Sequence, residues 1–163
     1  MTISIHPTAR ISPLADIEDS TRGTRIVIGA NSIIDSFVKI KPAGGAGDLI
    51  IGAYCVINSG CILYTGNGIA IGDYVAVAAN VVFAPTNHEF HNRQCLIRNQ
   101  GFRSSKGGIL VEDDVWIGVG TSLLDGATLR RGCVVGAMSL VNGEVPEYSI
   151  CFGNPLRVTG YRM

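Results

Sequence analysis

A polar stretch of the chain brings together residue types that can carry out acid–base chemistry. It runs from residue 83 to residue 108, reads FAPTNHEFHNRQCLIRNQGFRSSKGG, and interrupts a chain that is apolar on both sides. His88 stands near its start, and a neutral imidazole can accept a proton near neutral pH. We therefore predict that His88 is a general base, oriented through its second ring nitrogen by Glu89 or by a backbone carbonyl.

The charged residues that follow His88 are mostly basic. Between residues 89 and 110 the only acid is Glu89, and the basic residues are Arg93, Arg98, Arg103 and Lys106. Such a loop could bind an anionic ligand, for example one that carries phosphate groups. It could equally be solvated or pair with a neighbouring subunit, and the residues leave both readings open. The candidate substrate-binding residues are Asn87, Glu89, Phe90, Arg93 and Arg98, and Phe102 could anchor the loop or stack on the substrate.

Composition narrows the classes of function. The chain has 163 residues with 13 basic and 13 acidic side chains, which gives no support to nucleic acid or an anionic membrane as a partner. Hydrophobic residues make up 47% and charged residues 16%, so we expect some surface to be buried against other subunits. The sequence has no apolar run of membrane-spanning length and does not begin with an apolar signal segment. Five cysteines without a C-x-x-C motif fit a reducing cytoplasm.

The elements that position His88 come from a six-residue repeat. A large apolar residue recurs every six positions through eighteen hexads, and nearly every fifth position is small or β-branched. Both positions are predicted to point inward, so Cys55, Cys61 and Cys133 at fifth positions are predicted core residues. Gly or Asn, which tolerate positive φ, often fills the fourth position and predicts a corner. The hexads begin at Ile5, Ile11, Ile17, Ile28, Ile34, Ile40, Ile51, Ile57, Leu63, Ile71, Val77, Phe83, Val111, Ile117, Leu123, Leu129, Val135 and Val141.

This repeat predicts an all-β fold made of about six triangular coils. Three short strands form one coil, and stacked coils bury the aliphatic columns and pair in parallel ladders. We predict a single domain over residues 1–163, with an inserted loop at 89–110 and a short C-terminal tail at 147–163. Every break in the repeat follows a third hexad, so all insertions leave from one corner. His88 closes the third hexad of the fourth coil, at the start of the longest insertion, and loops on rigid scaffolds commonly carry function.

Hexads such as IGVGTS, VVGAMS and IGDYVA resemble those of the hexapeptide-repeat acyltransferases, whose fold is a left-handed parallel β-helix. The resemblance covers almost the whole chain. Residues 111–158, VEDDVWIG through GNPLRV, resemble the acetyl-CoA-binding half of galactoside, maltose and xenobiotic acetyltransferases. The loop NHEF…IRNQGF resembles that of O-acetyltransferases acting on bacterial surface-polysaccharide sugars. The resemblance implies a homotrimer with active sites between subunits, acetyl-CoA as co-substrate and no metal. It also implies transfer to a sugar hydroxyl in surface-polysaccharide or lipopolysaccharide biosynthesis, and the basic loop would then suit a nucleotide-linked sugar or a lipid-linked sugar phosphate as acceptor.

The resemblance also implies roles for individual residues. His88 would deprotonate the acceptor hydroxyl, which attacks the thioester directly, and the proton would pass to the CoA thiolate. Trp116 would flank the thioester, and the Val119 N–H could hold the oxyanion although the family often has Ser there. The Ala137 backbone would contact pantetheine, while Pro155 and Arg157 would lie near the adenine and the phosphates. The implied cofactor-binding set is Trp116, Gly118, Val119, Gly136, Ala137, Asn142, Gly143, Pro155 and Arg157, although Gly118 and Gly136 could serve the fold alone.

Two departures from the family pattern leave the phosphate contacts open. Asn142-Gly143 replaces a frequent Thr-Lys pair, and Gly160 replaces an arginine. The phosphates could instead meet Arg130, Arg131 or Arg162.

Three other functions could use such a chain. The first is an N-acetyltransferase for an amino sugar on a nucleotide carrier. The second is a zinc carbonic anhydrase, which needs three histidines that converge on the metal. The chain has only His6, His88 and His91, and His6 belongs to the first coil, far from the fourth. The third is a non-enzymatic scaffold, which would need neither His88 at this position nor a coenzyme-binding tail.

Overall fold

Three parallel sheets form the walls of a triangular prism. The structure is a computed structural model that describes residues 2–163. Sheet A contains β1 (Ile3–Ile5), β4 (Ile26–Ile28), β7 (Leu49–Ile51), β10 (Ile69–Ile71), β13 (Ile109–Val111), β16 (Thr128–Leu129) and β19 (Glu144–Val145). Sheet B contains β2 (Arg10–Ile11), β5 (Ile33–Ile34), β8 (Val56–Ile57), β11 (Ala76–Val77), β14 (Trp116–Ile117), β17 (Val134–Val135), β20 (Ser149–Phe152) and β21 (Arg157–Tyr161). Sheet C contains β3 (Asp16–Ile17), β6 (Lys39–Lys41), β9 (Ile62–Tyr64), β12 (Val82–Ala84), β15 (Ser122–Leu124) and β18 (Leu140–Val141).

Each coil contributes one strand to each sheet, and successive coils pair in parallel register, as in Ile34↔Ile57 and Val77↔Ile117. The predicted left-handed parallel β-helix is thereby confirmed. We call the corners of the prism the A–B, B–C and C–A edges, after the sheets that they join. Strands of sheet C are followed by strands of sheet A, so all the longer connections lie at the C–A edge. No helix in residues 2–163 is long and apolar enough to cross a membrane.

The first and fifth positions of the hexads point inward and form one continuous core. Ile34, Ile57 and Ile117 at first positions are fully buried. Cys61 and Cys133 at fifth positions are also fully buried, as the repeat predicted, and burial raises the pKa of these thiols to about 11 and about 12. A thiol with so high a pKa is not a nucleophile near neutral pH, so these cysteines serve packing.

The fourth positions turn the chain through left-handed backbone conformations. Asn31 and Asn80 have φ values of 58° and 59°, and Gly60 has 73°, as the pattern of Gly and Asn predicted. Bulky residues adopt the same conformation at equivalent positions, with φ of 61° at Phe37 and 58° at Met138. The coil therefore imposes the corner even where the residue type disfavours it, because the neighbouring coils determine the geometry.

The end of the inserted loop and the C-terminal tail differ from the sequence prediction. Strand β13 begins at Ile109, so the long connection spans residues 85–108 and Ile109 and Leu110 belong to sheet A. Val145 pairs with Leu129 only four residues after Val141, so it starts a partial seventh coil instead of taking a fifth position. The segment predicted as a tail contains β20, which extends sheet B, and β21, which folds back antiparallel on it. This antiparallel strand covers a sheet edge that would otherwise be open.

Candidate active site

His88 lies on a short two-stranded ribbon that leaves the C–A edge. The Glu89 N–H donates to the Gly101 carbonyl at 3.0 Å, and the Arg103 N–H donates to the Asn87 carbonyl at 2.8 Å. His88 and Phe102 face each other as an antiparallel pair between these two bonds. Because side chains alternate along a strand, His88 and Phe102 share one face of the ribbon, and Asn87, Glu89 and Arg103 share the other.

The His88 face borders a cavity of about 230 Å³, which we call the His88 cavity. Its walls are Ala43, Gly44, Tyr64, Ala84, Thr86, His88 and Phe102. The His88 and Phe102 ring centroids are 4.8 Å apart, and the imidazole makes no hydrogen bond within residues 2–163. Gly44 has φ of +82°, and a Cβ there would lie 2.9 Å from the Thr86 hydroxyl oxygen. Both ring nitrogens of His88 are therefore free to meet a substrate hydroxyl and an orienting acceptor.

The opposite face of the ribbon holds a pair formed by Glu89 and His91. Glu89 Oε1 accepts hydrogen bonds from the Phe90 N–H at 2.8 Å, the His91 N–H at 3.0 Å and the His91 ring at 2.5 Å. The bond from the His91 ring, with the two backbone bonds, lowers the pKa of Glu89 to about 2. An Arg103 nitrogen lies 3.4 Å from His91 Nε2. Glu89 therefore orients His91, and the acceptor that orients His88 must come from elsewhere.

The Glu89 contacts predict a distinct acid titration of the loop. A carboxyl group whose pKa is lowered by folding stabilises the folded loop above its ordinary pKa of 4.5, and this contribution is lost as the pH falls through about 2. We expect the backbone amide resonances of Phe90 and His91 to shift with a midpoint near pH 2, measured by NMR between pH 6 and pH 1.5. The Glu89→Gln variant should show no such titration. A midpoint near 4.5 in the unmodified protein would contradict the three-bond arrangement.

A second cavity, of about 360 Å³, lies on the Glu89 face and is lined by Asn87, Glu89, Arg103, Ser104, Lys106 and Asp125. The buried Asp125 carboxylate accepts hydrogen bonds from the Lys106 N–H at 2.7 Å and the Gly108 N–H at 2.9 Å, and so fixes the end of the loop. Asn87 and Glu89 thus border a cavity that holds two basic side chains, Arg103 and Lys106, and two carboxylates, Glu89 and Asp125, and Arg103 Nε lies 3.8 Å from Glu89 Oε2. Arg93 and Arg98 line neither of these two cavities, and Arg98 belongs to the four-residue helix α1 (Ile97–Gln100).

The predicted pantetheine contacts lie together at the B–C edge. Trp116 and Val119 are about half exposed, and Met138 and Phe152 add further exposed apolar surface, two residues that the sequence analysis did not select. The sequence could have indicated Phe152, because it lies one coil after Gly136 in the register that pairs Val135 with Cys151. The N–H groups of Val119 and Ala137 donate to no acceptor within residues 2–163. Val119 and Ala137 are third positions of their hexads, and the third positions Ser59 and Ala79 of earlier coils also have free N–H groups. Free donors alone therefore do not distinguish Val119 and Ala137; the exposed apolar groove beside them and the family resemblance do.

Gly118 and Gly136 allow adjacent coils to approach each other. A Cβ on Gly118 would lie 2.5 Å from the Ala137 nitrogen, and one on Gly136 would lie 2.8 Å from the Phe152 Cβ. Their own N–H groups donate to the carbonyls of Val135 and Cys151. The packing of the coils by itself accounts for glycine at both positions.

This packing predicts a stability difference between two glycine substitutions. Gly118→Ala should lower the free energy of unfolding by about 1–3 kcal/mol, because the added methyl group meets backbone atoms of the next coil. Gly143→Ala is the matched control, since nothing lies within 4 Å of its Cβ position, and it should stay within about 0.5 kcal/mol. Urea denaturation followed by circular dichroism measures both. Equal stability of the two variants would show that the coils relax around Gly118.

Three of the four candidate phosphate-binding arginines are already paired. Arg130, Arg131 and Arg162 lie 2.7–2.9 Å from carboxylate oxygens of Glu112 and Glu144, Asp113, and Asp114, respectively. Arg157 is exposed and has no carboxylate partner within residues 2–163. Of the four, Arg157 therefore keeps its guanidinium free for an anion. Pro155 lies in the turn between β20 and β21, and Asn142 and Gly143 lie at the C–A edge between β18 and β19.

The predicted base and the predicted pantetheine contacts lie on different edges of one chain. His88 follows β12 at the C–A edge, whereas Val119 and Ala137 stand between sheet B and sheet C. Sheet C separates them, and its width is roughly 13–20 Å for four to six residues at about 3.3 Å each. A single chain therefore does not bring the imidazole to the groove.

Known proteins share both the sequence pattern and the fold. A probable acetyltransferase of Mycobacterium tuberculosis is 34% identical over 116 residues, which cover 71% of this chain and 38% of that protein. A galactoside O-acetyltransferase of Lactococcus lactis is 27% identical over 114 residues, covering 70% of this chain and 53% of its own. The chain thus spans about half the length, or less, of these two curated relatives. No protein-family model matches the sequence.

Two solved structures extend the comparison. A variant of AntD, an N-acyltransferase from Bacillus cereus in complex with dTDP-4-amino-4,6-dideoxyglucose and coenzyme A, is 26% identical with a TM-score of 0.83, covering 99% of this chain and 84% of that one. A hexapeptide-repeat-containing acetyltransferase from Vibrio cholerae is 25% identical with a TM-score of 0.66, covering 94% and 70%. The fold and the site define a left-handed β-helix with a histidine-bearing loop at one edge. The chain belongs to the hexapeptide-repeat acyltransferase family.

Proposed function

We propose that the protein transfers an acetyl group from acetyl-CoA to a sugar hydroxyl, with His88 as the general base. The observation that carries this proposal is the free imidazole of His88, which lines a cavity at the base of the long loop. The relatives named acetyltransferases and the coenzyme A bound to AntD support the acyl donor. The resemblance of the loop to polysaccharide O-acetyltransferases supports an acceptor from surface-polysaccharide or lipopolysaccharide biosynthesis in the cytoplasm.

The reaction proceeds by direct transfer. A ring nitrogen of His88 takes the proton of the acceptor hydroxyl as the oxygen attacks the thioester carbonyl. The oxyanion that forms accepts a hydrogen bond from the free N–H of Val119. When the tetrahedral intermediate collapses, the C–S bond breaks and the imidazolium returns its proton to the CoA thiolate. Trp116 and Phe152 supply apolar surface at the groove, and Arg157 supplies charge for the phosphates.

The complete site requires a second copy of the chain. His88 and the groove lie on different edges of one prism, so the C–A edge of one copy must face the B–C edge of the next. Three copies related by a closed threefold axis satisfy this contact at every interface, because each copy offers one edge of each kind. The homotrimer is therefore part of the proposed function.

N-acylation of a nucleotide-linked amino sugar is the second candidate. AntD, the 26% identical neighbour, is an N-acyltransferase bound to dTDP-4-amino-4,6-dideoxyglucose. The basic residues Arg103 and Lys106 at the second cavity would also suit a phosphate-bearing acceptor. Both candidates share the base, the donor and the fold, and they differ only in the nucleophilic atom.

One experiment tests the function and separates the two candidates. Purified protein is supplied with acetyl-CoA and a panel of sugars, nucleotide sugars and 4-amino-sugar nucleotides, and thiol release is followed. We expect release that depends on a hydroxyl acceptor, and a product that hydroxylamine deacetylates, as it does an ester. A product stable to hydroxylamine is an amide and favours N-acylation. Absence of release with every acceptor would contradict the acetyltransferase proposal.

A further inference from the structure

The His88 cavity has the walls of a site for one sugar ring. We propose that it is the acceptor site, and that it takes a single uncharged pyranose ring stacked on Tyr64 and Phe102. This inference rests on the proposed function, since it names the class of acceptor for the same imidazole. Nothing in the family resemblance assigns a role to Tyr64.

The ribbon determines which side chains reach the acceptor. Alternation puts His88 and Phe102 on the cavity side, while Glu89 and Arg103 lie on the other side with the second cavity. Tyr64 lies at the end of β9, in the coil that precedes the one from which the ribbon leaves. The base and two aromatic rings therefore border one space, and the basic side chains of the loop stand outside it.

The size and the lining of the cavity define its ligand. At about 230 Å³ it is smaller than the roughly 300–1,000 Å³ typical of pockets for drug-sized molecules, so its walls contact one ring, and any further sugar would lie outside it. Ala43, Gly44 and Ala84 keep the space open because their side chains are small or absent. Tyr64 and Phe102 are 37% and 52% exposed, which leaves ring surface free for a ligand.

The chemistry of a pyranose matches this lining. One face of the ring presents C–H groups, which cover aromatic surface, and its rim presents hydroxyl groups. Two polar groups without a partner in residues 2–163 are available to the rim: the His88 imidazole and the Tyr64 hydroxyl. No acidic or permanently charged side chain lines the cavity in residues 2–163, so a carboxylate on the ring would lose water without gaining an ion pair. The cavity therefore selects neutral sugars over uronic or sialic acids.

The test compares tyrosines at two edges of the prism. Tyr64→Ala should raise the KM for the accepted sugar about tenfold, as expected for the loss of an aromatic stacking surface, and leave the KM for acetyl-CoA unchanged. Tyr64→Phe keeps the ring and should stay within about threefold of the unmodified protein. Tyr74→Ala is the control, because Tyr74 is an exposed tyrosine at the A–B edge, stacked on Tyr54 and away from the cavity. Thermal unfolding of each variant shows that it is folded, and Phe102→Leu serves as the second cavity variant if Tyr64→Ala does not fold.

A second arm tests the charge preference. The best neutral sugar and its uronic acid counterpart are compared by kcat/KM, and the acid should be used at least about tenfold less well, as an uncompensated buried charge requires. Sugar transfer with an unchanged KM in folded Tyr64→Ala, or equal use of the acid, would overturn this inference and leave the proposed function intact. Coenzyme A binding without transfer to any sugar would overturn the proposed function, and this inference with it.

Discussion

Replacing His88 by alanine is expected to lower kcat by about 10²- to 10⁴-fold, the usual contribution of a positioned general base. The fold should be unaffected, because the imidazole is exposed, makes no hydrogen bond within residues 2–163, and lies at the surface beside the Phe102 ring. The free energy of unfolding should change by less than about 0.5 kcal/mol. Thiol release at saturating acetyl-CoA measures kcat, and equilibrium dialysis with coenzyme A checks that the donor still binds.

The matched control is His91→Ala, three residues along the same loop. His91 is held by Glu89 on the opposite face of the ribbon, so its loss should change kcat by less than about fivefold. The control is demanding, because a histidine paired with a carboxylate is itself a plausible acid–base group. If His91→Ala were inactive and His88→Ala active, the base would be His91 and the site would open to the second cavity.

Two inactive variants are expected to restore activity when they assemble together. The first is His88→Ala, which lacks the base but keeps the groove. The second is Ala137→Trp, which keeps the base but fills the groove, since Ala137 is exposed at the B–C edge. A closed trimer containing both variants has one interface that joins an intact base to an intact groove. Mixed trimers should therefore recover about one third of the unmodified activity, which follows from three equivalent interfaces in cyclic symmetry.

The measurement uses co-expressed variants that carry different affinity tags. Two successive affinity steps isolate trimers that contain both chains, and light scattering establishes their mass. Each variant expressed alone is the control and should remain inactive. Mixed trimers as inactive as their parents would show that base and groove come from one chain, which would contradict the separation of the two edges.

The acceptor preference depends on contacts that bring distant residues together. Tyr64 and Phe102 lie 38 residues apart in the sequence (102 − 64), and the ribbon that pairs residues 87–89 with 101–103 makes them neighbours. The sequence pattern shows that a polar loop begins at Asn87. It does not show that the loop folds back on itself, because ribbon pairing has no six-residue signature.

The architecture was readable from the sequence because each coil repeats one local rule. An aliphatic residue every sixth position, with Gly or Asn at many fourth positions, is sufficient to predict the stacked coils, the buried cysteines and the edge from which the loop leaves. His88 was predicted as the base from its position in that repeat and from the family resemblance. These features depend on residues within one or two coils, where the chain geometry leaves few alternatives.

Only the tertiary structure decided which charged groups are already used. Glu89 pairs with His91 and leaves His88 free. Three of the four candidate phosphate-binding arginines, Arg130, Arg131 and Arg162, pair with carboxylates, whereas Arg157 does not. It also decided that the proposed base and the proposed coenzyme groove lie on separate edges of one chain. The physical reason is that hydrogen bonds and ion pairs select partners by distance in space. A repeat determines the scaffold on which these partners stand, but not which of them meet.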